Sequence, residues 1–246
     1  MNATEQLVSW IQESTKIVFF GGAGTSTESG IPDFRSAAGL YQTEQHSPYP
    51  PEELLSRHFF DQHADIFYDF YRGKMLHPDA EPNGCHRLLA RLENEGRLQA
   101  VITQNIDGLH QKAGSKNVLE LHGSVHRNAC MNCKRFYSLD DIIRSQDVVP
   151  HCTSCGGVVK PDVVLYEEEL DQNTLYLSVD AISTADLLLV GGTSLTVQPA
   201  AQLITYFQGK QTVLLNATPT AYDRQADLLI TEPIGEVMNT VDQLLG

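Results

Sequence analysis

Short apolar runs that stop at glycine or a small polar residue recur along the chain, with amphipathic stretches between them. Lys16-Ile17-Val18-Phe19-Phe20 leads straight into Gly21-Gly22-Ala23-Gly24, a pattern that predicts a buried strand opening into a glycine-rich turn. Thr25, Ser26 and Thr27 follow at once, placed to cap a helix. Further buried strands are predicted over 100–103, 118–121, 186–190, 212–216 and 228–230, with Gly191-Gly192-Thr193-Ser194 behind the run at 186–190. Helical periodicity occupies 86–94 and 199–207. Buried strands alternating with helices argue for a parallel sheet covered by helices.

Two stretches break this alternation. Residues 36–82 are aromatic, rich in His and punctuated by Pro, and residues 125–157 hold four of the five cysteines. Both read as insertions. The expected fold is therefore α/β: a doubly wound, Rossmann-like parallel sheet from 1–35, 83–124 and 158–246, with a smaller helical and zinc-ribbon module from 36–82 and 125–157. Ligands of such sheets bind beyond the carboxyl ends of the strands, where the glycine turns lie.

Composition narrows the function classes. At 246 residues, 41% hydrophobic and 20% charged, the chain reads as globular, long enough for one large core or a domain with an appended module. The first residues lack a basic segment followed by an apolar run, and no stretch reaches about 18 apolar residues. A cytoplasmic protein without a membrane partner is expected. Lys and Arg total 17 against 31 Asp and Glu, a formal charge of -14, which would repel a phosphate backbone and argues against nucleic acid as a partner. The acidic surface suits solubility and would also attract basic protein segments.

The cysteines fall as Cys130-x-x-Cys133 and, after eighteen residues, Cys152-x-x-Cys155. Each pair sits on a tight turn that aims two thiolates at one point, and two such turns complete the tetrahedral set Zn²⁺ prefers. Redox-active thiols and an iron–sulfur cluster are the competing readings. Four protein ligands leave no open position, so a zinc ion here is structural. Gly156-Gly157 gives the second turn its freedom, and Cys85, far from the quartet, reads as a small buried hydrophobe.

Gly22-Ala23-Gly24 at a strand-to-helix turn would let main-chain N–H groups approach a pyrophosphate. The turn departs from G-x-G-x-x-G, with Thr27 where the third glycine would stand. A plain tight turn is the alternative. No acidic residue ends an adjacent second strand, which disfavours a hydride-transferring dehydrogenase. Gly191 to Ser194 form a second loop of the same type, and Asn216 ends the next strand, where its amide can bond a ribose hydroxyl. Two loops and a polar strand end suit a dinucleotide.

Several segments in chain order resemble the signatures of the sirtuin family, in its bacterial single-domain form. They are Gly22-Ala23-Gly24-Thr25-Ser26, Ser29-Gly30-Ile31-Pro32-Asp33-Phe34-Arg35-Ser36, Thr103-Gln104-Asn105-Ile106-Asp107-Gly108-Leu109-His110 and Leu121-His122-Gly123-Ser124. The similarity continues through the cysteines, Lys160-Pro161-Asp162-Val163-Val164, Gly192-Thr193-Ser194-Leu195 and Asn216. It implies a protein lysine deacylase that consumes NAD as co-substrate, moves the acyl group to ADP-ribose and releases nicotinamide. By the same resemblance His122 is the catalytic base, and neutral imidazole suits that work near pH 7. Asn105 and Asp107 position the nicotinamide ribose and carboxamide, Gln104 reaches a ribose hydroxyl and Ile106 borders the nicotinamide. Phe34 covers the reacting sugar, and Arg35 lies near the phosphates. Ala23, Thr27, Thr193, Ser194, Asn216 and Ile234 complete the cofactor contacts. Read without the resemblance, His122 would be a satisfied structural histidine and Asn105 to Gly108 an Asx turn.

In the family, the segment matching Val163-Val164-Leu165-Tyr166 is an extended edge that takes an acyl-lysine peptide as an added strand. Here Glu167 stands where many members have glycine, and Glu168 and Glu169 follow, which suggests a preference for basic residues around the lysine. Members that remove acidic acyl groups carry a Tyr-x-x-Arg pair; this chain has Tyr68-Asp69-Phe70-Tyr71-Arg72, and one residue's offset rotates Arg72 by roughly 100° on a helix. A neutral acyl group, acetyl by default, is expected. Two other functions fit the same cofactor loops: mono-ADP-ribosyl transfer to protein, and non-catalytic sensing of NAD or ADP-ribose.

Overall fold

The computed structural model describes residues 2–34, 36, 39–40 and 48–246. Nine strands are described: β1 (Ile17–Gly21), β2 (Leu98–Thr103), β3 (Val118–Glu120), β4 (Gly123–Cys130), β5 (Phe136–Ser138), β6 (Val159–Val163), β7 (Leu187–Gly191), β8 (Gln211–Leu215) and β9 (Leu228–Ile230). Six form one sheet in the order β3-β2-β1-β7-β8-β9, every pairing parallel. β1 and β7 are buried at every position, as strands covered on both faces must be.

Alternation along each strand sorts its side chains to two faces. Ile17, Phe19, Leu187, Leu189, Val213 and Leu215 pack with the helices Ala3–Glu13, Gly84–Asn94 and Ile234–Leu245. Val18, Phe20, Leu188, Val190 and Leu214 pack with the helix Gln172–Thr184 and the 3₁₀ helix Ala200–Tyr206. The sheet is doubly wound, as the alternation predicts. Asn2 and Asn83 close the first two of these helices with reciprocal capping boxes. Cys85 lies fully buried in the first core, where burial pushes its thiol up.

The chain order reverses between β1 and β7, so the connections leaving their carboxyl ends diverge and open a crevice there. Gly24 N–H donates to Gly192 O at 2.8 Å. A Cβ on Gly24 would meet Gly192 Cα at 2.8 Å, so this contact of the two loops requires glycine.

Two helical expectations are corrected. Residues Ala23–Ser29 form a 3₁₀ helix whose N-cap is Gly22, with no side-chain cap; Thr25, Ser26 and Thr27 lie inside it, because the Gly24–Gly192 contact makes the chain turn before they are reached. The helix expected over 199–207 is also 3₁₀, spanning Ala200–Tyr206.

β5, β4 and β6 make a second, antiparallel sheet. Its core joins both insertions: Phe59, Phe60, Phe67, Tyr68 and Tyr71 pack on Val125, Leu139, Ile142, Val159 and Val163, and Tyr68 Oη donates to Val159 O. β6 lies beyond residue 157, where the smaller module was expected to end. Pro161 hides this strand in the sequence, yet it is tolerated because β6 is an edge. Among the described residues no helix is long and apolar enough to cross a membrane.

Candidate active site and metal centre

The carboxyl ends of β1, β2, β7 and β8 and the start of β4 deliver polar side chains to one cavity of about 1080 Å³. Ala23, Thr27, Phe34, Gln104, Asn105, Ile106, Asp107, His122, Thr193, Ser194, Asn216 and Ile234 all line it, as do Val163, Val164, Leu165 and Tyr166. Arg35 lies outside the described residues.

His122 follows β3 and immediately precedes β4. Its Nδ1 is 2.9 Å from Gln104 O. A carbonyl only accepts, so Nδ1 carries the proton and Nε2 remains a free lone pair. Burial lowers the pKa of His122, partly offset by the Gln104 carbonyl, so the imidazole is neutral near pH 7. A neutral imidazole with one nitrogen anchored has the form a general base requires.

Ser26 organises the Asn105–Gly108 turn, a role that its place behind the glycine loop does not reveal. Fully buried, it donates to Asp107 Oδ2 at 2.7 Å and accepts from Asn105 Nδ2 at 3.0 Å. Asp107 Oδ1 accepts the Leu109 N–H at 2.9 Å. Asn216 pins the second glycine loop: its Oδ1 accepts from Thr193 N–H at 3.0 Å and its Nδ2 donates to Thr193 O at 2.7 Å. Glu28, also unanticipated, lines the cavity and accepts main-chain N–H groups from Gly235 and Glu236 at the start of the last helix.

A dinucleotide fits these residues. Gln104 Nε2 is buried without a hydrogen-bond partner, an arrangement costing about 1–3 kcal/mol unless a ligand acceptor meets it. The glycine loops bring main chain rather than side chains to the crevice.

The metal test is equally direct. The four cysteine sulfurs lie within 4.8 Å of one another, and the Cys130–Cys155 and Cys133–Cys152 pairs stand at 3.5 Å; a tetrahedral zinc with Zn–S of about 2.3 Å needs sulfurs about 3.8 Å apart. Lys134 (φ 62) and Gly156 (φ 72) close the two turns in the same left-handed conformation. Tyr137, then the amides of Ser154 and Cys155, draw the Cys152 thiol down to about 5. Cys155, although the Gly157 amide lowers it, is pushed up to about 12 by Cys130, Cys133 and Cys152. Four thiols this close cannot all ionise without a cation among them, and zinc is the cation they fit.

The peptide edge differs from expectation at its end. Val164 N–H donates to His122 O at 3.0 Å, but Tyr166 spends both main-chain groups on the segment before the helix Arg57–Gln62: its N–H donates to Leu55 O at 2.9 Å and its O accepts from Arg57 N–H at 3.0 Å. Glu167 turns the chain at φ 77. Its carboxylate accepts from His58 N–H at 3.1 Å and pairs with His58 Nδ1 at 2.7 Å. Glu168 takes Arg57 and Lys160 at 3.1 and 3.0 Å. Two of the three carboxylates are thus already paired, which weakens the case for an attraction to basic peptides.

The family model described as the Sir2 family matches residues 22–199. The chain belongs to the Sir2 family. Its relatives include proteins named NAD-dependent protein deacetylase from Clostridium acetobutylicum, 56% identical over 98% of each chain, and from Clostridium tetani, 52% identical over the full length of both. Among solved Sir2 structures, one described with a deacetylated p53 peptide and 3'-O-acetyl ADP-ribose has a TM-score of 0.91 at 36% identity, covering 99% of this chain and 98% of that one. Another, described with a p53 peptide and NAD+, has a TM-score of 0.86 at 39% identity, covering 99% and 98%. The Rossmann-like sheet and four-cysteine centre are those of a Sir2 protein.

Proposed function

We propose that this chain is an NAD-dependent protein lysine deacetylase that transfers the acyl group to ADP-ribose and releases nicotinamide. The observation that carries this reading is His122, a neutral imidazole with Nδ1 held by Gln104 O, lining the same cavity as Asn105 and Asp107. NAD supplies the ribose carbon that the acyl oxygen attacks as nicotinamide departs. His122 Nε2 takes the proton from a ribose hydroxyl. Asp107 and Asn105, fixed by Ser26, hold the nicotinamide carboxamide and ribose; Ile106 borders the ring, Gln104 Nε2 meets a hydroxyl and Phe34 keeps water from the reacting sugar. Ala23, Thr27, Thr193, Ser194, Asn216, Ile234 and Arg35 contact the rest of NAD. Val163 and Val164 receive the peptide main chain, while Leu165 and Tyr166, whose main-chain groups are already bonded to Glu168 and to the 55–57 segment, contribute their side chains.

The acyl group is neutral. Arg72 donates to the carbonyls of Ser145 and Asp147 at 3.2 and 3.0 Å, and Tyr68 and Tyr71 are buried in the aromatic core, so none of the three is placed to bind a distal carboxylate. We assign the chain to the cytoplasm, where four thiols stay reduced for zinc. It divides into a cofactor-binding part, 1–35, 83–124 and 158–246, and a module of 36–82 and 125–157 whose sheet recruits β6.

Mass spectrometry of an acetyl-lysine peptide incubated with and without NAD tests this. NAD-dependent loss of acetyl, appearance of acetyl-ADP-ribose and the near-abolition of both in His122→Ala are expected. Nicotinamide release with ADP-ribose added to protein would indicate the transferase, and no NAD consumption would indicate a sensor.

A further inference from the structure

The Asn105–Gly108 turn is held from two sides. Ser26 and the Leu109 amide hold the Asp107 carboxylate from the large sheet; the other side is closed by β4. β4 and β6 pair at Gly123–Val163 and Ser124–Asp162, then resume only at Asn128–Pro161, so residues 125–127 bulge out of the ladder. Bulges re-aim side chains beside functional sites. This one brings two donors to the turn: Val125 N–H to Ile106 O at 3.0 Å, and His126 Nε2 to Asp107 O at 3.1 Å.

The bulge is braced in every direction. Arg127 donates to Asp162 Oδ2 at 2.7 Å and to Glu120 Oε2 at 2.6 Å, buried Asn128 donates to Val125 O at 3.2 Å, and His126 N–H donates to Ser124 Oγ at 3.3 Å. The His126 ring lies directly on Gly108, whose φ is 74; a Cβ there would come within 2.6 Å of ring atoms Cδ2 and Nε2. Glycine tolerates both hands of the backbone, so the peptide plane between Asp107 and Gly108 is free to flip unless something holds its carbonyl.

We propose that His126 is a positioning residue for the nicotinamide end of the site: its Nε2–H fixes the Asp107–Gly108 peptide plane and thereby the aim of the Asp107 carboxylate. The proposal rests on Asp107 binding the carboxamide. The bond lies on the outer side of the turn, on a second cavity of about 420 Å³ that Asp107, Gly108 and His126 line together. Losing it therefore opens no void in either core.

Three variants separate donor from ring. His126→Phe keeps a ring on Gly108 without the donor, His126→Gln restores an N–H, and His126→Ala removes both. One lost hydrogen bond corresponds to about a five-fold effect. We expect His126→Phe and His126→Ala to raise the KM for NAD and the nicotinamide inhibition constant about five-fold, with peptide KM and melting temperature of His126→Phe unchanged, and His126→Gln to return both constants to within about two-fold of wild type. Wild-type constants in His126→Phe, or an equal loss in His126→Gln, would overturn the proposal. Asp107→Asn is assayed alongside: if it leaves the nicotinamide constant untouched, the carboxamide role of Asp107 fails instead.

Discussion

The protonation state of His122 follows from two neighbours of opposite effect, burial lowering its pKa and the Gln104 carbonyl raising it, with burial the larger. A protonated imidazole has no lone pair to offer, so activity is lost as pH falls through this lowered pKa. The acid limb of kcat/KM against pH is expected below the usual histidine range near ~6.5, with a plateau through neutrality. A limb centred at or above neutrality would contradict the buried environment. Beneath the Asp107 turn, the rings of His86 and His110 lie 4.6 Å apart between centroids, tilted at 56°, both buried. Burial lowers His86 to about 4, against an opposing pull from Asp107, and lowers His110 well below its ordinary value. Between about 6.5 and 4 the unfolded chain binds protons at these sites and the folded chain does not. Stability is therefore full above about pH 6.5 and falls on acidification, by roughly 3 kcal/mol for His86 alone. Thermal melts from pH 7.5 to 5 check this, and His110→Phe should flatten the slope. His122, Asn105 and Asp107 stand out in the sequence because they sit in contiguous motifs, and the fold brings all three to one cavity. Ser26 was visible only as a helix cap, since its partners Asn105 and Asp107 are brought to it by the fold, not by spacing.

The loop after β6 shows what an element does to a residue type. Glu167 adopts φ 77, a conformation that costs a non-glycine residue about 1–2 kcal/mol, and the paired His58 offsets part of that. The two side chains are 53% and 51% exposed, so the contact itself contributes little; its effect is to hold Tyr166 against the 55–57 segment at the rim of the proposed peptide site. Glu167→Ala keeps the strain and loses the anchor, and is expected to raise the peptide KM several-fold with the NAD KM unchanged. Glu167→Gly loses both and should lie nearer wild type. Equal peptide KM values in both variants and wild type would remove the loop from peptide binding. Buried strands β1, β7 and β8 were legible to within a residue because parallel strands covered on both faces are continuously apolar. β6 was not, since Val-Lys-Pro-Asp-Val carries no such run. The two 3₁₀ helices read as ordinary helices because apolar spacing does not distinguish them over two turns.

At the scale of the molecule, the order of motifs along the chain reports the architecture: glycine loops ending β1 and β7, and cysteines inside an interruption of the alternation. It does not report how the second sheet is tied to the first. The tie is β4, which starts at Gly123, directly after His122, and ends on Cys130 of the four-cysteine cluster. That one strand thus links the proposed base before it, the bulge that touches Ile106 and Asp107, and the first cysteine of the cluster. Zinc removal should therefore be felt at the active site, although the sulfurs make no contact with it. A structural zinc contributes folding energy directly, and losing even about 3 kcal/mol shifts the melting temperature of a chain this size by roughly 6–12 °C. Chelation, or Cys152→Ser, is expected to lower the melting temperature and abolish deacetylation together. Hydrogen exchange would locate the change: amides of β4 and β5 should lose protection while those of β7 and β8, in the middle of the large sheet, keep theirs. Uniform loss across both sheets would mean that they unfold as one cooperative unit, with the zinc stabilising the whole chain rather than the strand that carries the site.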